Sequence, residues 1–197
     1  MNLQKRSSNC GQCKKKKLLG RIGATIVGVK PAEFLTISDD EIEWKEFKNI
    51  VNTFNKIKLI EINKRNQKRK ALFYHVSCLD KVLQKKYHQK FLKKLGYPRE
   101  YCLQSYINHL QKKIYEAESL PQEIGLFLGY PLKDVMGFMD CCPFRLVEVK
   151  GWRIYGSREL SIKVYCKFRR ARERFLNYLN RQKSLGGMNE AEYNYNI

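Results

Sequence analysis

The sequence lacks any apolar run that approaches the ~20 residues of a membrane-spanning helix, so we expect no membrane partner. Its first residues also lack the roughly 7–15-residue apolar segment of a secretory signal. The 7 cysteines are an odd number. An odd number of cysteines without an export signal favours reduced thiols, and we therefore expect a cytoplasmic protein.

Acidic residues are scarce: 19 Asp and Glu stand against 39 Lys and Arg, which gives a net charge of +20. The excess is concentrated in two blocks. Residues 56–113 carry 16 basic and 3 acidic side chains, and residues 145–183 carry 12 and 3. Two such blocks predict a positive surface that attracts polyanions. The alternative is a charge that serves solubility, carried by lysine-rich helix faces.

The apolar pattern predicts one α+β domain over residues 18–184, with a basic flexible tail at 1–17 and a second tail at 185–197. We expect a small, mostly antiparallel sheet with two hairpins, packed with about five or six helices. Strand signals lie at 34–37, and hairpin signals at 57–76 and 144–155. The helix signals lie just after Ser38-Asp39-Asp40, then at 79–95, 103–114, 121–139 (two short helices) and 160–178.

The sequence contains no Walker loop, no nucleophile elbow and no HExxH pair, so no catalytic residue and no cofactor are predicted. His75 and Cys78 could form a base–nucleophile pair, but no oxyanion donor is evident. His88 is expected to be solvated, beside Tyr87 on the apolar stripe of its helix. Enzymatic activity is therefore unsupported by the residues.

Two cysteine pairs raise the question of a metal. Cys10 and Cys13 have the spacing of a redox dithiol or of half a zinc site, and Cys141 adjoins Cys142. Because a zinc site needs about four ligands and adjacent cysteines rarely share one metal, we expect free thiols and no metal site.

The segment 121–139 has the layout of a helix-turn-helix, with Gly129-Tyr130-Pro131 at the turn. A helix that reads bases presents Arg, Lys, Asn or Gln. The second helix here offers mainly Leu, Val, Met and Phe, in a stretch of negative charge. We therefore predict that the segment is core, with Phe127, Leu128, Val135 and Phe138 largely buried.

The same segment resembles the signature of a bacterial family known as domain of unknown function 3793. The string EIGLFLGYP carries the resemblance, and three other stretches agree in order: 28–35 (GVKPAEFL), the helix–hairpin–helix layout from Trp44 to Leu95, and 151–156 (GWRIYG). The motif residues are Glu123, Gly125, Phe127, Gly129, Tyr130, Pro131, Trp152 and Tyr155.

The resemblance implies an α+β cytoplasmic protein of mainly anaerobic bacteria, with no assigned activity. It also implies Cys or His at four places where this sequence has Ile22, Gln122, Val149 and Ala171. If the family uses those groups for metal or thiol chemistry, this divergent member has lost it.

The best functional interpretation is a non-enzymatic module that binds RNA or DNA through backbone phosphates. The site residues predicted for it are Lys64, Arg65, Lys68, Arg69, Lys70, Arg169, Arg170, Arg172 and Arg174. The spacing of the four arginines near the end spreads them around their helix, so not all can face one ligand. The alternative is a protein-interaction or metal/redox accessory protein that uses the EIGLFLGYP surface, with an unknown partner.

Overall fold

The computed structural model of the protein describes residues 3–65, 68–117 and 120–182, and their side chains except those of residues 3–12, 38 and 63–65. Over these residues the chain forms eight helices and two small antiparallel sheets, which confirms the α+β class. The helices are α1 (Leu3–Ile26), α2 (Glu41–Val51), α3 (Val76–Leu83), α4 (Lys86–Lys94), α5 (Leu103–Glu116), α6 (Ile124–Phe127), α7 (Leu132–Phe138) and α8 (Glu159–Arg181). The strands are β1 (Ala32–Ser38), β2 (Ile57–Arg65), β3 (Lys68–His75), β4 (Leu146–Lys150) and β5 (Trp152–Tyr155).

The larger sheet has the order β1-β3-β2 with antiparallel pairing throughout. Strands β2 and β3 confirm the predicted first hairpin, and β1 confirms the predicted strand at 34–37. Asp40 caps α2 as expected, because its side chain accepts hydrogen bonds from the backbone N–H groups of Ile42 and Glu43.

Helices cover both faces of this sheet, because consecutive side chains of the central strand β3 point to opposite faces. Ala71 and Phe73 belong to a core shared with α1, α2 and α8. Leu72 and Tyr74 belong to a second core shared with the helices α3 to α7. The sheet is therefore the middle layer between two groups of helices.

The predicted helix at 79–95 is wrong in one respect, because two helices, α3 and α4, occupy this stretch. Lys85 is the N-cap of α4 and makes no side-chain capping hydrogen bond. The break shifts the phase of the apolar stripe, so Tyr87 is 55% exposed while His88 is buried. The expectation of a solvated His88 is wrong: its Nδ1 lies 2.6 Å from the carbonyl oxygen of Val82.

Helices α1 and α8 pack against each other at close range. A Cβ atom added at Gly20 would overlap the side chain of Leu176, and one at Gly23 would overlap Phe175. Helix α1 begins at Leu3, so residues 3–17, predicted to be a flexible tail, are helical. The predicted tail at 185–197 lies outside the described residues, and the domain limits of 18 and 184 stay a prediction.

Strands β4 and β5 form the predicted second hairpin, which turns at Lys150 and Gly151. Gly151 has φ +73°, a left-handed conformation that suits glycine. The hairpin is a separate two-stranded sheet, and Leu146, Val147 and Val149 of β4 are exposed. No helix in the described part of the chain is both long and apolar enough to cross a membrane.

Candidate functional site

The first hairpin carries five of the cations predicted to bind a polyanion. Lys64 and Arg65 pair with Arg69 and Lys68 across the strands, but their side chains lie outside the described residues. Lys68 and Lys70 are exposed, whereas Arg69 between them is buried. Because side chains alternate along a strand, the two lysines share one face and Arg69 lies on the other, with the core.

Arg69 is held by three carboxylates of the same chain. Its Nη2 donates to Asp39 Oδ1 at 2.7 Å and to Glu41 Oε1 at 2.6 Å, and its Nη1 donates to Glu61 Oε2 at 2.6 Å. The guanidinium lies 5.0 Å from the centroid of the Trp44 ring. Although burial opposes the shift, hydrogen bonds that include the one from Arg69 hold the pKa of Glu61 below its usual value. Arg69 therefore joins α2 to the sheet and is not open to an external ligand, contrary to its predicted role.

The four predicted arginines of α8 lie on two different flanks of the helix. At about 100° per residue, Arg172 and Arg174 are about 160° apart around the axis. Arg170 and Arg174 line one groove, while Arg169 and Arg172 line a separate cavity. The expectation that not all four can face one ligand is confirmed.

The groove contains four cations at spacings of four, three and four residues, so they lie in one stripe along α8. We call Lys163, Lys167, Arg170 and Arg174 the α8 basic face. They line a groove of about 530 Å³ with Val27, Val29 and Ala171. All four side chains are exposed, and none forms an ion pair within the described part of the chain. Their charge is therefore available to a ligand.

The charge of Lys167 lowers the pKa of the nearby Cys78 thiol, but the net shift does not activate this thiol. Burial raises the pKa of the Cys78 thiol, although Lys167, Lys81 and Lys85 oppose the shift. The Nδ1 of His75 accepts a hydrogen bond from the backbone N–H of Cys78 at 3.2 Å. His75 thus caps α3, and the geometry does not support the base–nucleophile pair.

Lys68 of the first hairpin and Arg172 of α8 are well separated, whereas Lys70 pairs with Thr36, three residues from Glu33. Arg172 donates to Glu33 Oε2 on β1 at 3.2 Å. Lys68 pairs with Ser38, at the far end of β1. The five residues from Glu33 to Ser38 span about 17 Å, roughly twice the Debye length at physiological salt. Only an extended polyanion could therefore contact both Lys68 and Arg172.

Two residues of the family motif, Trp152 and Tyr155, donate hydrogen bonds to Asp134, a buried carboxylate in α7. Its Oδ2 accepts from Trp152 Nε1 at 2.8 Å and from Ser161 Oγ at 2.6 Å. Its Oδ1 accepts from the backbone N–H of Tyr155 at 3.0 Å and from Lys133 Nζ at 2.6 Å. These bonds join α7 to β5 and to the start of α8. The motif therefore fixes the packing of these three elements.

The apolar side chains of the segment 121–139 confirm most of the core prediction. Phe127, Leu128 and Val135 are buried, but Phe138 is 40% exposed, which corrects the prediction for that residue. Its ring lies at the C-terminal end of α7, with the Arg153 guanidinium 5.3 Å from the ring centroid.

Glu123, the first residue of the motif string, is also buried. It forms an ion pair with Lys113 of α5 and accepts a hydrogen bond from the Tyr97 hydroxyl at 3.4 Å. The segment is thus anchored to α5 as well as to β5. These contacts anchor the segment in the fold, but Ile124, Leu128 and Tyr130 also line a groove of about 420 Å³ together with Val135 and Phe138. The alternative function, which assigns an interaction surface to this segment, stays a prediction.

Sequence reasoning did not single out Lys30 as a site residue, although it lies within the motif stretch 28–35. Lys30 is buried beside a cavity of about 260 Å³ on the flank of α8 opposite the α8 basic face. Tyr130 and Trp152 of the other two motif stretches line the same cavity. The motif itself could have indicated this site. These three stretches lie far apart in the sequence, and each contributes residues that no local turn or helix requires, which favours a place where the stretches meet.

The described cysteines do not form a group that could bind a metal ion. Within the described residues no group of three or more His, Cys, Asp or Glu side chains could hold a metal ion. Cys13 and Cys141 are exposed free thiols, and Cys142 is partly exposed. The side chain of Cys10 lies outside the described residues.

The fold and the site together define an α+β protein whose motif residues build a buried polar network and a cavity, beside a helix with an open basic face. A family model described as "Protein of unknown function (DUF3793)" matches residues 18–188. The chain belongs to this family, as the motif residues imply. No curated protein and no solved structure matches the sequence.

Proposed function

We propose that the protein is a non-enzymatic module that binds nucleic acid through its phosphates, and that the α8 basic face is the contact surface. The observation that carries this proposal is the stripe of four exposed cations, free of ion pairs within the described residues. Lys68 and Lys70 of the first hairpin lie on the face of the sheet opposite α8, so only a long strand that passes around the sheet would contact them as well.

The dimensions of the α8 basic face suit a run of phosphates. Eleven residues separate Lys163 from Arg174, which is about 16 Å of helix. A nucleic-acid strand carries one phosphate per ~3.4 Å of its axis, so about four or five phosphates fit along this length. Guanidinium groups can contact a phosphate through two parallel hydrogen bonds, and lysines add compact charge. Such contacts hold the backbone and carry no sequence information.

A matched pair of double variants tests the proposal. Arg170→Gln/Arg174→Gln removes two charges from the α8 basic face, and Arg169→Gln/Arg172→Gln removes two charges of the same kind from the opposite flank. Binding of a labelled single strand and of a duplex is measured by fluorescence anisotropy at several salt concentrations.

We expect the first variant to bind a duplex about sixty-fold more weakly at 0.1 M salt, with the salt slope reduced by about 1.8, because each phosphate contact contributes about 0.9 to that slope. The control variant should bind nearly as wild type. If wild type does not bind at low salt, or if both variants lose affinity equally, the proposal is wrong. A protein partner that binds with little salt dependence would then be the function to test.

A further inference from the structure

The cavity on the opposite flank of α8 is formed by residues that the family motif brings together from distant parts of the chain. Lys30 comes from the loop before β1, Tyr130 from the turn between α6 and α7, and Trp152 from β5. Tyr165, Phe168, Arg169 and Arg172 of α8 complete it. We call this the aromatic cavity.

Three cations and one carboxylate face the aromatic cavity. Lys30 Nζ donates to Glu33 Oε2 at 2.6 Å, and Arg172 reaches the same oxygen. Arg169 lies 3.7 Å from Glu173, but both side chains of this pair are more than half exposed, so their attraction is weak. Burial lowers the pKa of Lys30, although Glu33 opposes the shift. With Lys30 protonated, the groups that line the cavity leave about two positive charges unmatched.

The other walls are aromatic. The Tyr130 and Trp152 rings are stacked, with centroids 4.5 Å apart and planes at 17°. The rings of Tyr165 and Phe168 lie 6.1 and 6.5 Å from Trp152, inclined by 59° and 55°. All four rings remain partly exposed, although Tyr130 also packs against the core, and Lys30 Nζ lies 5.8 Å from the centroids of the Tyr130 and Phe168 rings. Partly exposed aromatic rings beside arginines are the arrangement that stacks on nucleobases.

The backbone around the aromatic cavity permits this arrangement only with glycine at one turn. Gly129 has φ +83°, and a Cβ there would lie 2.6 Å from Pro31 Cδ and 3.1 Å from the Phe168 ring. The motif glycine therefore lets the turn that carries Tyr130 approach both Pro31 and α8. The polar network of Asp134 fixes Trp152 on the other side. The walls are thus positioned by contacts outside the cavity.

We propose that the aromatic cavity binds a small ligand with a planar ring and a phosphate, of the class of nucleoside monophosphates. The ring would stack on the aromatic walls, and the phosphate would accept hydrogen bonds from Arg169 and Arg172. A phosphate monoester carries about −1.5 to −2 charges at neutral pH, which matches the unmatched charge of the site. The volume of about 260 Å³ lies below the ~300–1,000 Å³ of drug-sized pockets, so the cavity would hold the ring and the phosphate against its walls and leave part of the ligand in solvent.

This proposal does not depend on nucleic-acid binding by the α8 basic face, because the two surfaces lie on opposite flanks of one helix. The same chemistry occurs in a free mononucleotide and at the 5′-phosphorylated end of a strand. A 5′-phosphorylated dinucleotide and its unphosphorylated form, titrated beside the mononucleotide, distinguish these two sources.

The test uses isothermal titration of the full chain with adenosine 5′-monophosphate, adenosine and inorganic phosphate as separate probes. We expect the monophosphate to bind wild type and to bind Arg169→Gln/Arg172→Gln at least tenfold more weakly. Arg170→Gln/Arg174→Gln, the control, should bind it as wild type does. Tyr165→Leu should weaken the monophosphate at least threefold and leave inorganic phosphate unchanged.

The single variant Arg169→Gln changes an exposed side chain that has no buried partner, so it should fold even if the double variant does not. It should also weaken binding of the monophosphate. Circular dichroism checks that each variant is folded. Three results would overturn the proposal: no binding of the monophosphate at millimolar concentration, an equal loss in both double variants, or inorganic phosphate binding as tightly as the monophosphate. The first result would leave the nucleic-acid experiment unaffected, so the two proposals fail separately.

Discussion

Replacing Asp134 with Asn measures what the buried polar network contributes to stability. The amide keeps one oxygen, which can still accept from Tyr155 N–H and Lys133. It places an NH₂ group where Oδ2 accepts from Trp152 Nε1 and Ser161 Oγ. The Ser161 hydroxyl can rotate and accept, but the indole N–H is only a donor and loses its partner. The loss of a hydrogen bond to a charged acceptor costs about 1.5–3 kcal/mol.

The assay is urea unfolding followed by circular dichroism, and we expect the midpoint to fall by about 1 M, since the slope for a small protein is ~1–3 kcal/mol per M. A double-mutant cycle with Trp152→Phe isolates the indole contact, because Phe keeps a ring and removes the N–H. In that background the cost of Asp134→Asn should shrink by about 1 kcal/mol or more. An equal cost in both backgrounds would refute the assignment of the energy to this hydrogen bond.

Two further predictions concern the core and a buried histidine. Phe127 is fully buried, so Phe127→Ala should lower the free energy of unfolding by about 3–5 kcal/mol through the cavity it leaves, as denaturant unfolding would show; a cost below 1 kcal/mol would contradict its place in the core. Burial lowers the pKa of His88 below 6.5, although its hydrogen bond to the Val82 carbonyl opposes the shift. The unfolded chain therefore takes up the proton first as the pH falls, and stability should decline below about pH 6.5 by at most ~1.4 kcal/mol per pH unit. His88→Gln should flatten this part of the stability–pH curve. An unchanged curve would show that the lowered pKa of His88 is not the cause of the decline.

The elements that the sequence predicts correctly are those with local signals. Each hairpin consists of two neighbouring segments rich in residues that favour strands, and Asp40 marks the start of α2 through its own side chain. The break between α3 and α4 has no such signal, since neither Gly nor Pro stands at Gln84 or Lys85. The apolar spacing of four continues across it, which makes one helix the natural prediction.

The sites were harder to predict because they depend on contacts between distant residues. Arg69 looks like its neighbours in a basic run, but strand alternation separates it from Lys68 and Lys70, and this signal was available in the sequence. The separation of Arg170 from Arg172 follows from helical geometry alone. The position of Lys30 and Trp152 in one cavity cannot be predicted in this way, because it requires the packing of α7, β5 and α8 around Asp134.

The close packing of α1 on α8 has a consequence for the synthesis of the chain. Leu19 and Ile22 of α1 share a core with Phe175 and Leu179 of α8, which follow roughly 150 residues later. A ribosome that adds ~5–20 residues per second needs on the order of 10–30 s to reach them. During that interval the apolar side of α1 has no native cover from α8. The nascent chain therefore exposes the apolar side of α1 until α8 has been synthesised, and a chaperone that shields this side would act during that interval.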